Sequence, residues 1–302
     1  MAKRVLLIGY GSIGRRHAAL LGAMGIRPYV LTRHPAGARA EFISSLDGLK
    51  GKKIDSCIIC SPTNRHLKDF EQAISALGTL KRVLIEKPLE ATHAKGQRIS
   101  KLAKKYGIKV YVAYNLRFLR SFSLIKDFVR RNLDSIRIIE VVAGQDLRDW
   151  RRDRKIEETY SAHRSLGGGV DLDLSHEIDY LLWIFGVDFK KKFILRRKIS
   201  SLKIDSPDIF KLVLDYSTFI ASVTLDYIRT SKERYLRIIC DNRKSLYFDL
   251  VKGRLQIDGK TVLGKDAIKE TYKKMLQAFL SARDSDLCSL GDGLKVLQVL
   301  GV

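Results

Sequence analysis

The spacing of apolar positions changes period part-way along the chain. In the first part, short apolar runs alternate with amphipathic stretches. Strands are expected at Arg4–Ile8, Arg27–Leu31, Ile54–Cys60, Val83–Ile85 and Lys109–Ala113, with helices over Ile13–Met24, His66–Leu77 and Ala91–Lys105. Such alternation predicts a parallel sheet with right-handed crossovers. After Asn115 the rhythm changes to a helix (Phe122–Arg131), a strand (Ile136–Ala143) and an irregular basic stretch. From Phe193 to Ile257 strands follow one another with little helix between them. Phe219, Ala221, Val223, Leu225 and Tyr227 place an apolar residue at every second position, the mark of a half-buried antiparallel strand. A helix over Asp266–Arg283 and a short one near Leu294 close the pattern. The fold class is therefore α/β: a doubly wound parallel sheet over residues 1–118, then an α+β domain with a mainly antiparallel open sheet over 119–302. One free sheet face predicts a homo-oligomer, dimer or tetramer.

Composition narrows the partners. A chain of 302 residues, 45% apolar and 29% charged, has room for two domains with their own cores. The apolar run Val5–Ile8 is too short for a secretion leader, and no run approaches the roughly 20 residues of a membrane helix. These features predict a cytoplasmic protein with no membrane partner. Cys57 and Cys60 form a CxxC, but IDSCIICSP around them reads as a buried strand, and no second ligand pair completes a metal site. No metal is expected.

The excess of 56 basic over 33 acidic residues gives a net charge of +23. Part of it lies in RDWRRDRK (Arg148–Lys155) and KKKFILRRK (Lys190–Lys198), the second reading as an edge strand guarded by lysines. No nucleic-acid-binding motif accompanies the charge, so nucleic acid is not an expected partner. A nucleotide cofactor and a nucleotide-bearing substrate account for it more economically.

Between the first strand and helix, RVLLIGYGSIGRRH holds Gly9, Gly11 and Gly14 in the spacing G-x-G-x-x-G, with Ser12 and Ile13 inside the motif. Gly9 permits the tight turn, Gly11 lets backbone approach a pyrophosphate, and Gly14 allows close helix–strand packing. The helix's first amides then face the phosphates. In this strand–turn–helix context the motif predicts a Rossmann-type dinucleotide site. At the end of the second strand, Thr32, Arg33 and His34 stand where a carboxylate would bind the ribose 2′-hydroxyl. A hydroxyl and a guanidinium suit a 2′-phosphate, which favours NADP(H), with NAD(H) as the alternative.

Four further segments join this motif: SPTNRH (Ser61–His66), EKP (Glu86–Pro88), YNLRF (Tyr114–Phe118) and GGGVDLDLSHEID (Gly167–Asp179). Their order and spacing over most of the chain resemble the Gfo/Idh/MocA oxidoreductases, most closely the members of surface-polysaccharide and nonulosonate-type sugar pathways. The resemblance implies a nicotinamide-dependent enzyme acting on a secondary alcohol or ketone of a sugar, cyclitol or nucleotide-sugar. It implies a cofactor pocket drawing on Ser61, Pro62, Asn64, His66, Glu86, Lys87 and Asn115, with Pro88 following a cis bond. Lys87 also has its own reading. It follows a buried strand, where open α/β sheets bind ligands, and a partly desolvated lysine can exchange a proton with the hydroxyl that loses hydride. Asn115 and Arg117 fall at the handover between domains, Arg117 as a partner for an anionic substrate group.

On a helical wheel, Leu174, Ile178, Leu181 and Phe185 form a core seam. Asp173, His176, Asp179, Tyr180 and Trp183 cluster opposite, with Asp171 and Glu177 on the flanks. Gly167–Gly169 allow a tight entry and a close approach. The family order then assigns His176 and Lys87 to proton transfer and Asp173, one turn from His176, to orienting a hydroxyl or tuning the histidine. Many family members carry the aspartate four residues before the histidine. Leu172 occupies that position here, so either Asp173 is a shifted equivalent or the aspartate's role is absent. The alternatives to a dehydrogenase are an enzyme that retains NAD(P) and oxidises transiently, as in glycosidic cleavage, and a non-catalytic nucleotide sensor.

Overall fold

A computed structural model describes residues 4–37, 39–150 and 155–302. It contains strands β1 (Val5–Ile8), β2 (Tyr29–Leu31), β3 (Glu41–Ile43), β4 (Ser56–Ile59), β5 (Arg82–Ile85), β6 (Lys109–Val112), β7 (Ile136–Gly144), β8 (Lys191–Arg197), β9 (Ile209–Asp215), β10 (Ile220–Asp226), β11 (Glu233–Cys240), β12 (Ser245–Asp249), β13 (Arg254–Ile257), β14 (Lys260–Leu263) and β15 (Cys288–Ser289). The helices are α1 (Ser12–Ala23), α2 (His66–Ala76), α3 (His93–Tyr106), α4 (Arg120–Asn132), α5 (Leu147–Trp150), α6 (Val170–Asp173), α7 (His176–Phe185), α8 (Ile268–Ser281) and α9 (Leu290–Leu300).

The chain divides into two compact units, residues 1–114 with 272–302 and residues 115–271. This corrects the expected division at residue 118, because the C-terminal segment returns to the first unit. The reason lies in packing. Strand β15 adds antiparallel to β6, pairing Cys288 with Val112. Helix α9 lies so close to its neighbours that a Cβ at Gly293 would sit 2.6 Å from Val112 Cγ2, and one at Gly96 3.0 Å from Leu294 and Leu297. Arg82 closes the seam, donating to Asp284 at 2.6 Å and to the Phe279 carbonyl at 3.1 Å. This guanidinium pulls the Asp284 carboxyl down to about 2.

The first sheet has the order β15-β6-β5-β4-β1-β2-β3, parallel except for β15. Its central strands β1 and β4 are wholly buried and β5 nearly so, as a sheet covered on both faces requires. The order reverses at β1 and β4, and ligands of open α/β sheets bind beyond the carboxyl ends of the strands at such a reversal. The ladder continues one residue past each strand: Gly9 N donates to Leu31 O, Cys60 N to Ile8 O, Glu86 N to Ile59 O and Ala113 N to Ile85 O. That places the glycine turn, Ser61 and the EKP turn along one edge. Cys57 and Cys60 lie buried on and just after β4, and burial pushes both thiols up.

The second sheet runs β14-β13-β12-β11-β7-β10-β9-β8, with β7 and β10 parallel and every other pair antiparallel. On one face, Ile139, Val141, Leu212, Leu214, Val223, Leu225, Leu236 and Phe248 are buried with α4, α6 and α7. Full burial of such side chains is worth about 1.5–3 kcal/mol each. The alternation expected around Val223 is observed in β10. Strand β8 forms one edge, as its lysines suggest. Of the other basic cluster, Arg151–Arg154 lie outside the described residues, while Arg148 pairs with Asp146 at 2.6 Å. No helix among the described residues is long and apolar enough to cross a membrane.

Candidate active site

In the first unit the glycine turn does what its spacing requires. Gly9 has φ of +94°, and a Cβ there would lie 2.7 Å from Ser61 N. A Cβ on Gly14 would lie 2.2 Å from Gly9 O, so only glycine lets α1 approach β1 this closely. Gly11 faces open space, with nothing within 4 Å of its Cβ position. Helix α1 begins with no side-chain cap and no acid in its first turn. Its amides are thus presented without a competing intramolecular acceptor, and they fit a dinucleotide pyrophosphate. Ser12 and Ile13 begin this helix. Beyond β2, Thr32 Oγ1 accepts the His34 amide at 3.1 Å, and Arg33 is exposed.

The EKP turn is held from behind. Glu86 Oε1 lies 2.7 Å from buried His17 Nε2, and Oε2 accepts the Lys87 amide at 3.3 Å. The Lys87–Pro88 bond is cis, and Lys87 itself is half-buried. His66 was expected in the cofactor pocket. Its ring is buried, with Nε2 3.0 Å from Ser61 O and Nδ1 3.2 Å from Leu89 O. It clamps the SPTNRH turn to the EKP turn instead of reaching outward. Buried Glu90 reinforces the clamp by accepting from Leu67 N and Ala91 N. Ser61 Oγ is buried without a hydrogen-bond partner among the described residues, and Pro62 is exposed beside it.

In the second unit the acidic segment is not one amphipathic helix. Helix α6 stops at Asp173 and α7 starts at His176, with every residue from Val170 to Leu182 buried. The wheel therefore misplaced its polar face, because the helical phase breaks at Leu174–Ser175. Each carboxylate has its own partner. Asp171 is held by Arg196 at 2.7 Å and Arg164 at 3.1 Å. Glu177 accepts from Arg234 at 2.6 Å. Asp179 binds Arg117 through two nitrogens, at 2.7 and 3.0 Å. Asp173 Oδ2 accepts from Ser161 Oγ and Tyr227 OH, both at 2.6 Å. Burial and the Asp173 charge push the Tyr227 phenol well up.

Two expectations change here. Arg117 was read as an anion ligand, but its side chain is 3% exposed and committed to Asp179, with Trp183 against its guanidinium at 5.0 Å. Asn115 was read as a cofactor contact, but its buried amide donates to Thr271 Oγ1 at 2.6 Å. The glycine run also has an internal use. A Cβ on Gly168 would lie 2.2 Å from Tyr160 O, so the close approach is that of the chain's own backbone. His176, at 9%, is the most exposed titratable residue between Asp171 and Asp179. The partners His17, Arg164, Arg196, Arg234 and Tyr227 carry no sequence signal, since they lie 7 to 69 residues from the groups they hold.

A glycine turn at a strand-order reversal, followed by an uncapped helix, defines a dinucleotide-binding Rossmann unit, here joined to a unit built on a mainly antiparallel sheet. Residues 3–114 match the family model described as "Oxidoreductase family, NAD-binding Rossmann fold". Over these residues the chain is similar to the Gfo/Idh/MocA family of NAD-binding oxidoreductases.

The chain is 25% identical to glucose-6-phosphate 3-dehydrogenase of Bacillus subtilis over 71% of its length and 63% of that protein's. It thus spans a little under two thirds of that relative. The WlbA dehydrogenase from Bordetella pertussis, solved with NADH and UDP-GlcNAcA, shares the fold at a TM-score of 0.80 and 17% identity over 99% of this chain and 94% of its own. UDP-N-acetylglucosamine 3-dehydrogenase GnnA from Acidithiobacillus ferrooxidans does so at 0.76 and 18%, covering 98% and 95%.

Proposed function

We propose that the protein is an NAD(P)-dependent dehydrogenase that moves hydride between the nicotinamide and a secondary alcohol or ketone of a sugar, cyclitol or nucleotide-sugar. One observation carries the reading: Lys87 stands at the carboxyl end of β5, on the sheet edge that bears the glycine turn, with its backbone anchored by Glu86. Gly9, Gly11, Gly14 and the first amides of α1 hold the pyrophosphate. Thr32 and Arg33 favour NADP(H), because a guanidinium with no carboxylate nearby suits a 2′-phosphate. Ser61 and Asn64 line the nicotinamide side.

When bound, the nicotinamide supplies the hydride acceptor or donor at its C4. In oxidation the Lys87 amine would take the hydroxyl proton as the carbonyl forms, and in reduction its ammonium would return that proton. His176 is the second proton-handling group, and Asp173, fixed by Ser161 and Tyr227, orients the substrate. The relatives' names motivate the substrate class: a sugar phosphate in one, UDP-sugars in two, and inositols in others.

The test is a spectrophotometric screen of NADP+ and NAD+ against glucose 6-phosphate, myo-inositol, scyllo-inositol and UDP-N-acetylglucosamine. Net dinucleotide reduction with at least one, faster with NADP+, is the expected result. Tightly retained dinucleotide without net reduction would favour transient oxidation instead.

The outer face of the second sheet is covered by a second copy of the chain. Its exposed residues include Phe193 (61%), Leu195 (51%), Ile220 (52%) and Ile138 (44%), and the register sets Ile220 beside Ile138. An apolar stripe of this kind favours association. Light scattering is expected to give a multiple of 34.3 kDa for the wild type. Leu195→Lys is expected to lower that mass. The buried free thiols and the dinucleotide cofactor suit a cytoplasmic enzyme.

A further inference from the structure

We infer that His17 is a positioning residue for Lys87 and acts through Glu86; the inference rests on the role proposed above for Lys87. Helix α1 carries both ends of the arrangement. Its first turn presents the phosphate-binding amides, and one and a half turns on it buries His17 beside Ala18 and Leu21. An apolar side chain would fill this core position at lower desolvation cost. The histidine spends its Nε2 on Glu86 Oε1 at 2.7 Å, and its Nδ1 is buried with no partner among the described residues. Glu86 is anchored to β4 through its own amide, at 2.9 Å from Ile59 O, and its second oxygen accepts the Lys87 amide.

One carboxylate thus spans the gap from α1 to the backbone of the lysine. Gly14 sets the height of α1 over β1 by direct contact with Gly9, so the imidazole has little freedom to follow a displaced carboxylate. The Tyr272 ring stands edge-on to His17 at 6.0 Å between centroids, under the Arg16 guanidinium at 4.8 Å, and closes the other side. The helix that binds the dinucleotide therefore also fixes where the lysine's backbone lies. A donor of the right length at residue 17 is what the lysine's placement requires. Hydrophobic bulk at that position would not serve.

The experiment compares His17→Leu with His17→Gln, whose amide can still reach Glu86, and with Lys87→Met. His17→Leu is expected to lower kcat about 10- to 100-fold on whichever screened compound the wild type oxidises fastest, since a misplacement of about 1 Å can cost that much. Its NADPH dissociation constant, read by fluorescence, should stay within about twofold, because the glycine turn is untouched. His17→Gln should recover most of the kcat. In parallel, acetylation of Lys87 by acetic anhydride, followed by mass spectrometry, should be about threefold or more faster in the leucine variant through local loosening, and near wild type in the glutamine variant.

Unchanged kcat in His17→Leu overturns the inference. So does a glutamine variant as impaired as the leucine one at equal melting temperature, or a loss confined to NADPH affinity. If His17→Leu does not fold, His17→Asn, a methylene too short to reach Glu86, replaces it with the same expectations. Full turnover in Lys87→Met would refute the role of Lys87 itself. If no screened compound is oxidised, the proposed function fails while the acetylation rates still decide the link between His17 and Lys87.

Discussion

His176→Ala is expected to lose roughly 10²- to 10⁴-fold in kcat, the usual scale of a general acid–base contribution. It is expected to bind NADPH as the wild type does. The residue opens α7, where its backbone is fixed between the Asp173 network and the Glu177–Arg234 pair. The Ser161 and Tyr227 bonds to Asp173 and the Arg234 bond to Glu177 do not use the imidazole and should remain in the variant. The glycine turn belongs to the first unit and His176 to the second, which is why cofactor affinity and turnover should separate in this variant. Stopped-flow reduction of bound NADP+ by the best screened compound reads the effect directly. Unchanged turnover would remove His176 from the mechanism and leave proton transfer to Lys87.

Arg117→Met carries the largest expected effect on stability. The Asp179 carboxylate is 1% exposed on its side chain, and the guanidinium holds it through two nitrogens. Taking away one partner of a buried pair leaves a desolvated charge and costs about 3–5 kcal/mol. At roughly 2–4 °C of melting temperature per kcal/mol for a domain of this size, the midpoint should fall by about 6–20 °C. The double variant Arg117→Met/Asp179→Leu should regain most of that loss, because it removes the charge together with its partner. Were Arg117 instead a ligand for a substrate anion, the single variant would keep its melting temperature and raise KM.

The contrast between these two residues separates what is local in the sequence from what is not. Both lie in motifs that carry the family resemblance, and both were read as facing a ligand. His176 keeps some exposure at the start of a helix. Arg117 is turned inward by an acid 62 residues away. The same holds along Asp171, Glu177 and Asp179, whose arginine partners come from four separate segments. A helical wheel assumes unbroken phase, and the break at Leu174–Ser175 removed that assumption. His66 and Asn115 have internal partners that no local spacing records, for a similar reason. Their motif context is local, but the carbonyls and hydroxyl that engage them are set by packing. Strand β3 was missed because three half-buried residues, Glu41–Ile43, carry no period long enough to read.

What the sequence alone determined is whatever depends on near neighbours. The turn at Gly9–Gly14 follows from backbone conformations and contacts that only glycine allows, over six residues. The two sheet types follow from runs and alternations within single strands. What only the tertiary structure decided is which polar groups spend their hydrogen bonds internally, and to which unit the last helix belongs. Helix α9 returns to the first sheet because Gly96 and Gly293 leave room for it against α3 and β6. Glu86 becomes the holder of Lys87 because His17 meets it across 69 residues. A buried charge must find a partner or pay its desolvation, but the partner is chosen by proximity in the folded chain, and no local spacing records it.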